Sequence, residues 1–180
     1  MHDLKTWKLS IVAGLFIVLV VLSGCTGTIH GGGVVAMFEV ETGNGDGVPS
    51  DVNVAVSATC SDNKEEFRAT IHVTDKANDA NFTARLPWTS IEDIFGPGAT
   101  CEEAADFVDE EGVSVAGGII NAQGQESGQA IMAVTKPGVA IEECGDLQGV
   151  LIQAEGSADV LPGGFYAAIG CLDHGKINFQ

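Results

Sequence analysis

The feature that most constrains the fold is an alternation of apolar and polar residues along two neighbouring stretches. Every second position is apolar from Val52 to Cys60, and the same holds from Phe67 to Val73. Successive side chains of a β-strand point to opposite faces of the sheet, so each stretch predicts a strand with one buried face. A further inward row starts at Phe82 and includes Ala84 and Leu86. The polar turn at 75–79 makes the second and third stretches a hairpin.

The rest of the chain repeats this β pattern. Further strands are predicted at Val34–Glu41, Val113–Ile120, Gln129–Thr135, Gly149–Glu155, Gly164–Ile169 and Lys176–Phe179. Glycine-bearing turns separate most of them, and a spacing of about 10 to 15 residues without helices favours antiparallel pairing. The expected fold is therefore mainly β, an antiparallel β-sandwich or barrel.

One segment breaks the pattern, around residues 90–111. Ser90–Phe95 is typical of a single helical turn. Thr100 and Glu103 have the spacing of a capping box. In this motif the Thr side chain accepts a hydrogen bond from the backbone N–H of residue 103, and the Glu side chain reaches back to the backbone N–H of residue 100. A short helix is expected from Cys101 or Glu102 to Glu110, so the β domain contains a helical insertion.

The N-terminus carries the pattern of an export and lipidation signal. Lys5 and Lys8 precede an apolar run from Leu9 to Leu22, and Leu22-Ser23-Gly24-Cys25 closes it. The run is shorter than the roughly 20 residues of a membrane-spanning helix. The pattern resembles the lipobox of prokaryotic lipoproteins, in which a diacylglycerol is joined to the cysteine sulfur and the chain is cut just before it. An ordinary signal peptide and an uncleaved membrane anchor are the alternatives.

This resemblance implies a domain organisation and a location. Residues 1–24 would be the signal peptide, 25–33 a lipidated flexible tether rich in glycine, and 34–180 a single β-rich domain. The protein would be exported and held at the outer membrane or cell surface. Its membrane contact would be the acyl groups on Cys25.

Charge limits the partners. The chain has 8 Lys or Arg against 25 Asp or Glu, and a formal net charge of −17 at pH 7. Such a chain is repelled by nucleic acid and by anionic lipid, so neither is expected as a partner. An envelope protein or a glycan remains as the expected partner. The acidity itself suits a solvated surface, adaptation to high salt, or calcium binding.

Four cysteines follow Cys25, which in an exported chain predicts two disulfides with three possible pairings. The favoured pairing is Cys60–Cys171 with Cys101–Cys144. No two of the four are spaced as zinc ligands or as a Cys-x-x-Cys redox pair, so a structural role is expected.

The two ends of the mature chain carry a family resemblance. A glycine triplet at 31–33 precedes the first strand, a Thr-Asp-Lys turn lies at 74–76, and residues 170–179 spell GCLDHGKINF. This is similar to small secreted β-domains of the post-COAP type, which tend to end in a Gly-Cys-Leu-x-Gly-Gly-Asn-Ile-Gln-like strand. His174 and Lys176 depart from that pattern, and residues 88–111 have no counterpart in it. The resemblance implies a fold and an exported location, and no activity.

A weak calcium candidate lies in the loop after the first strand. Asn44, Asp46 and Asp51 offer oxygen ligands in a pattern like the Asn-x-Asp-Gly core of a calcium loop. The first and twelfth positions of such a loop, normally Asp and Glu, are Thr42 and Asn53 here. A glycine-rich hairpin turn is the alternative.

Other candidate groups each have a simpler explanation. His30, His72, Asp173 and His174 would form a metal site if the first and last strands were neighbours, or would be exposed bystanders. Carboxylates flank the predicted helix and suit glycoside chemistry or a solvated helix end. Four aromatic residues would form a ligand platform or anchor the core. The carboxylates are Glu102, Glu103, Glu110 and Glu111, and the aromatics are Trp88, Phe95, Phe165 and Tyr166.

The expected function is therefore that of a lipid-anchored envelope protein with a binding or structural role. The chain lacks Gly-x-Ser-x-Gly, His-Glu-x-x-His and Ser-x-x-Lys, and no catalytic residue is predicted. The alternatives are a calcium-dependent or glycan-binding module and, less favoured, an envelope hydrolase.

Overall fold

A computed structural model describes residues 28–61, 64–101, 112–138 and 141–179. The described strands are β1 Thr28–Thr42, β2 Gly45–Asp46, β3 Ser50–Ser61, β4 Glu66–Asp75, β5 Ala80–Ser90, β6 Gly112–Ile120, β7 Glu126–Thr135, β8 Gly149–Gly156 and β9 Phe165–Phe179. Helical structure in these ranges includes α1 at Ile91–Phe95 and single 3-10 turns at Glu142–Cys144 and Pro162–Gly164.

Eight strands form a closed antiparallel barrel. In the order β1-β3-β4-β5-β6-β7-β8-β9 each strand pairs with the next, and β1 closes the barrel on β9. The two-residue β2 pairs only with the end of β1. The contact between β5 and β6 is short, with two register pairs, Ala84–Ile119 and Arg85–Gly118. The expected mainly β antiparallel fold is confirmed, and the barrel is the correct alternative.

Apolar side chains fill the barrel interior. The inward rows predicted for β3 and β4 are buried as expected, with Val52 and Val73 fully covered. Bulky side chains come from several walls, among them Phe67, Met132, Ile152 and Tyr166. An eight-stranded barrel has an interior that side chains just fill, so the inside of this barrel is a packed core.

The barrel has two ends, which we call upper and lower. The upper end holds the β1–β3 connection, the β4–β5 turn, the β6–β7 turn and the β8–β9 connection. The lower end holds Thr28, the β3–β4 turn, α1 and the β7–β8 connection. α1 lies where a single helical turn was predicted at 90–95. The helix predicted from 101 or 102 to 110 lies outside the described residues, as do the signal sequence and Cys25.

The glycine triplet is part of a strand, so the prediction of a flexible tether over 25–33 is wrong from residue 28 onward. Gly31, Gly32 and Gly33 belong to β1 and pair with β3 on one side and with β9 on the other. A Cβ atom on Gly31 or Gly33 would collide with the backbone of β9, and one on Gly32 with the backbone of β3. These glycines permit close strand approach rather than chain flexibility.

The C-terminal residues form one strand where two were predicted. β9 runs without a turn from Phe165 to Phe179, and the expected turn at His174–Gly175 is instead a bulge at Asp173. Val34 faces His174 while Val35 faces Leu172, so the extra residue bends the strand without ending it.

All four cysteines form disulfides, but the predicted pairing is wrong. The bonds are Cys60–Cys101 and Cys144–Cys171, with Cα–Cα distances of 5.9 and 5.3 Å. Cys60 points into the core at the lower end of β3, whereas Cys171 belongs to the outward row of β9. The wall of the barrel separates these two side chains, so they cannot bond to each other.

The Cys144–Cys171 disulfide fixes the β7–β8 connection against the barrel wall. Next to it, the side-chain amide of Gln148 takes the place of a backbone peptide. Its Nε2 donates to the carbonyl of Ile177 and its Oε1 accepts from the N–H of the same residue, both at 3.0 Å. Gln148 is buried, and this double hydrogen bond satisfies its amide.

Within the described ranges, the helices are too short and insufficiently apolar for any of them to cross a membrane.

Candidate functional site

A buried polar cluster closes the upper end of the barrel around Asp75. We call Ser50, Asp75, Asn78 and Tyr166 the Asp75 cluster. The carboxylate of Asp75 is fully buried and accepts five hydrogen bonds. Oδ1 accepts from Ser50 Oγ at 3.0 Å and from the backbone N–H groups of Ala77 and Asn78 at 3.1 and 3.2 Å. Oδ2 accepts from Asn78 Nδ2 at 2.7 Å and from the Tyr166 hydroxyl at 2.9 Å.

The Asp75 cluster ties three connections of the upper end together. Asn78 donates to the carbonyl of Val48 at 2.8 Å and accepts from its N–H at 2.7 Å, which joins the β4–β5 turn to the β1–β3 connection. The Tyr166 ring packs edge-on against Phe82, with centroids 6.0 Å apart. Because all donors to Asp75 are neutral groups already in place, the cluster is suited to hold the fold.

The electrostatics of the Asp75 cluster keep Tyr166 neutral. Burial raises the pKa of the Tyr166 hydroxyl, and the charge of Asp75 and the hydrogen bond to it raise it further. A tyrosine that is held protonated is a hydrogen-bond donor, and it is not a base or a nucleophile at neutral pH.

The second polar grouping is on the outside of the barrel, on β1, β3, β4 and β5. Strand register places His30 beside Ser57, Ser57 beside Thr70, and Thr70 beside Arg85. The next row upward is Gly32, Ala55, His72 and Thr83 in the same order. We call the surface formed by His30, Ser57, Arg68, Thr70, His72 and Arg85 the His72 face.

Hydroxyl groups and an aromatic ring fix two side chains of the His72 face. The ring nitrogens of His72 lie 3.0 Å from Thr83 Oγ1 and 3.3 Å from Thr74 Oγ1. The guanidinium of Arg68 stacks over the ring of Trp88, 4.7 Å from its centroid. Such a stack holds the Arg side chain against the wall while its charge stays in solvent.

A shallow groove runs through the His72 face, between β3 and β4. It has a volume of about 180 Å³ and is lined by Ala55, Val56, Ser57, Thr70 and His72. The small side chains of Ala55 and Ser57 leave the groove open, and the neighbouring Gly32 adds no side chain to it. The groove is open to solvent and suits a ligand that lies along the wall.

The charge of the His72 face is opposite to that of the chain as a whole. Among the described residues, the register rows from Thr59–Arg68 up to Asn53–Thr74 contain no Asp or Glu on these four strands. Carboxylates begin at the margins, with Glu66 below and Asp51 above. On the β6 side the carboxylate of Glu126 lies over Gly118, which pairs with Arg85. In a chain of net charge −17, this leaves a local surface that carries Arg, His and hydroxyl groups.

The calcium candidates lie on three consecutive parts of the upper end: Asn44 in the turn after β1, Asp46 in β2 and Asp51 in β3. Thr42 to Asp46 form the hairpin between β1 and β2, where Thr42 Oγ1 donates to the carbonyl of Gly45 at 3.1 Å. Asp51 lies on the outward row of β3, opposite Ala36 of β1. No three His, Cys, Asp or Glu side chains in the described part of the chain are placed to hold a metal ion. The calcium site at Asn44, Asp46 and Asp51 stays a prediction.

The other sequence candidates are dispersed. β1 and β9 are neighbours, yet His30 and His72 project from separate register rows, and His174 contacts Asp173 at 3.3 Å in the bulge of β9. Trp88 is on the outer surface and Tyr166 is in the core, so they do not form a common platform. The four glutamates that flank the predicted helix lie outside the described residues.

The sequence patterns do not predict either polar grouping as a site, although each grouping has a signal in the sequence. Asp75 continues the inward row of Phe67, Ala69, Ile71 and Val73, and an acid at such a position requires buried partners. The His72 face is the outward row of the same strands, where Arg68, Thr70 and His72 alternate with the core residues.

Comparison of the chain with protein families, with curated proteins and with solved structures gave no match.

Proposed function

We propose that this chain is an exported, lipid-anchored envelope protein that works by binding a ligand on the outer wall of its barrel. The observation that carries the binding role is the contrast between the filled interior and the grooved His72 face. A packed core leaves the outer wall as the surface available for recognition. The two disulfides support an oxidising compartment, where such bonds persist.

The fold gives the proposed anchor a geometric consequence. Two residues, Thr26 and Gly27, separate Cys25 from Thr28, where β1 begins at the lower end of the barrel. Since an extended chain spans at most about 3.6 Å per residue, the three steps from Cys25 to Thr28 reach about 11 Å. A lipid on Cys25 would therefore hold the lower end close to the membrane. The His72 face begins at Arg68, in the register row of Thr28, and its upper rows at Thr70 and His72 would stand farther from the lipid surface.

The anchor is tested by fractionation and intact mass. We expect the protein extracted from membranes to have the mass of residues 25–180 plus acyl groups, and to gain four hydrogens on reduction of its two disulfides. A Cys25→Ser variant, which has no sulfur to carry the lipid, should lack the acyl mass and retain residues 1–24. An unlipidated mass for the wild-type protein, or free thiols, would contradict the proposal.

The binding role is tested separately with isolated envelope material from the host. The non-lipidated Cys25→Ser protein should still co-sediment with envelope polymer from which membranes have been extracted. If it remains wholly in the supernatant while the wild-type protein is bound only through its lipid, the chain has an anchor but not the proposed binding function.

A further inference from the structure

We infer that the His72 face binds an acidic polysaccharide, a chain of sugars bearing carboxylate groups, laid along the groove between β3 and β4. The inference rests on the proposed binding function and names the ligand class for it. It follows from the charge of the face, from its hydrogen-bonding groups and from its shape.

Charge complementarity selects an anionic ligand. Arg68 and Arg85 are exposed and flank Thr70 on the outer surface of β4 and β5. On the two sides of β3, His30 of β1 lies beside Ser57 and His72 of β4 lies beside Ala55. No described carboxylate interrupts these rows. Arg pairs with carboxylate through two parallel N–H···O bonds, which makes a carboxylate-bearing ligand a suitable partner.

Hydrogen-bonding capacity selects a sugar among the anionic ligands. The hydroxyl groups of Thr70 and Ser57 lie in the same register row as Arg85, and the row above it carries the Thr83 hydroxyl and the His72 imidazole. Hydroxyl groups both donate and accept, as sugar hydroxyls do. A protein partner is a poorer fit, because the cores of protein interfaces are apolar and the exposed large apolar side chain at this face is Trp88, already stacked on Arg68.

Charge density argues against nucleic acid. Duplex DNA has one negative charge per about 1.7 Å of helix axis and is bound by many closely spaced Lys and Arg. The His72 face has only two arginines, one on each side of Thr70, and this wide spacing of positive charge suits a ligand with one carboxylate per sugar. At physiological ionic strength the Debye length is about 8 Å, so distant carboxylates of the barrel are screened. The acids that oppose such binding are therefore the marginal ones, Glu66, Asp51 and Glu126.

The test uses oligosaccharides of polygalacturonate as the probe. Titration calorimetry on the membrane-extracted protein in a non-ionic detergent should show binding that weakens at an ionic strength of about 1 M, where the Debye length is about 3 Å. The same oligomers after carboxyl reduction keep the sugar backbone without charge and should bind at least tenfold more weakly. Polyphosphate of matched charge, which has no sugar, should also bind at least tenfold more weakly.

Variants locate the site. Arg85→Gln should weaken binding about two- to fivefold, the range of one exposed ion pair, and Arg68→Gln with Arg85→Gln about tenfold. Lys76→Gln is the matched control, since it removes one positive charge from the exposed upper turn outside the face, and it should change affinity less than twofold. Circular dichroism melting curves verify that each variant is folded.

The other outcomes overturn the inference. Equal binding of the carboxyl-reduced oligomers would indicate a neutral-glycan site, and equal binding of polyphosphate a general anion patch. In either case the proposed binding function would survive. No binding of any probe, or equal losses in Lys76→Gln and Arg85→Gln, would reject the His72 face as the site. Co-sedimentation with envelope polymer then decides separately whether the binding function itself fails.

Discussion

The Asp75 cluster and the His72 face both include residues of β4. They differ in how many of their polar groups already have hydrogen-bond partners within the protein. Asp75 is fully buried and takes five donors from its own fold. His72, three residues earlier and on the opposite side of the strand, is exposed, and the arginines beside it keep their charged groups in solvent. One strand therefore carries a satisfied polar cluster on one face and, on the other, the exposed groups for which we propose a binding role.

The difference shows how burial and hydrogen-bond partners separate structural polar residues from candidate functional ones. A buried charge whose partners are all supplied internally is held for the fold, since breaking it leaves unpaired groups in the core. An exposed row of donors and cations in an otherwise acidic surface has no comparable role in packing. Changes to the two groupings should therefore affect different measurements.

The largest effect is expected from Asp75→Ala. The substitution leaves the Tyr166 hydroxyl, the Ser50 hydroxyl and the Asn78 donors without their acceptor, at a cost of about 3–5 kcal/mol. For a domain of this size the melting temperature should fall by roughly 10 °C. Thermal unfolding followed by circular dichroism measures this. A change of less than about 1 kcal/mol would show that the cluster does not hold the upper end of the barrel.

A smaller loss is expected from Tyr166→Phe, which keeps the buried ring and removes its hydroxyl. Asp75 then keeps four of its five donors, so the free energy of unfolding should fall by about 1–2 kcal/mol. Urea unfolding gives the value. Binding to the His72 face should be unchanged, and a parallel loss of affinity would contradict the separation of the two groupings.

The same residue predicts a loss of stability at alkaline pH. Burial, followed by the effects of Asp75, raises the pKa of Tyr166 in the folded protein, whereas in the unfolded chain it titrates near its ordinary value of about 10. The stabilising contribution is therefore complete below about pH 10 and is lost as the pH rises above that value, because only the unfolded state releases the proton.

This pH dependence is measurable because Tyr166 is the only tyrosine in the chain. Ultraviolet absorbance of tyrosinate should appear together with unfolding, and the alkaline loss of stability should be smaller in Tyr166→Phe. Ionisation near pH 10 in a protein that remains folded would show that the hydroxyl is accessible to solvent.

The smallest effect on stability is expected on the outer face. Thr83→Val removes the hydroxyl that contacts His72 Nδ1 and keeps the shape of the side chain, so the free energy of unfolding should change by no more than about 0.5 kcal/mol. Affinity for the polyuronate should fall about twofold, the size of a weak exposed contact. A large loss of stability here would make the His72 face a structural element.

Local alternation was sufficient to predict most of the barrel. The inward rows of β3 and β4 follow directly from period two, because one face of each strand packs on the core. The closure of β1 on β9 is a pairing between the ends of the chain, and no local pattern in either strand specifies it. For the same reason the sequence could not decide between a sandwich and a barrel.

The incorrect sequence predictions concern features that depend on contacts between residues far apart in the chain. The glycine triplet at 31–33 has the composition of a linker, yet its role is to let β1 approach its two neighbours closely. The disulfide pairing depends on which side of the wall each cysteine faces, and for Cys171 this depends on the register of β9. The site is harder still to predict, because the His72 face forms only when residues from four strands are aligned.

The most direct test of the account is a map of chemical-shift changes in the amide and methyl groups while galacturonate oligomers are added. We expect the largest changes at Ala55, Ser57, Thr70 and Thr83, with the Asp75 cluster and the outer surface of β7 unchanged. Changes centred on β6 to β8, or on the Asp75 cluster with the His72 face unaffected, would contradict the claim that the barrel is a packed scaffold whose β3–β5 wall does the binding.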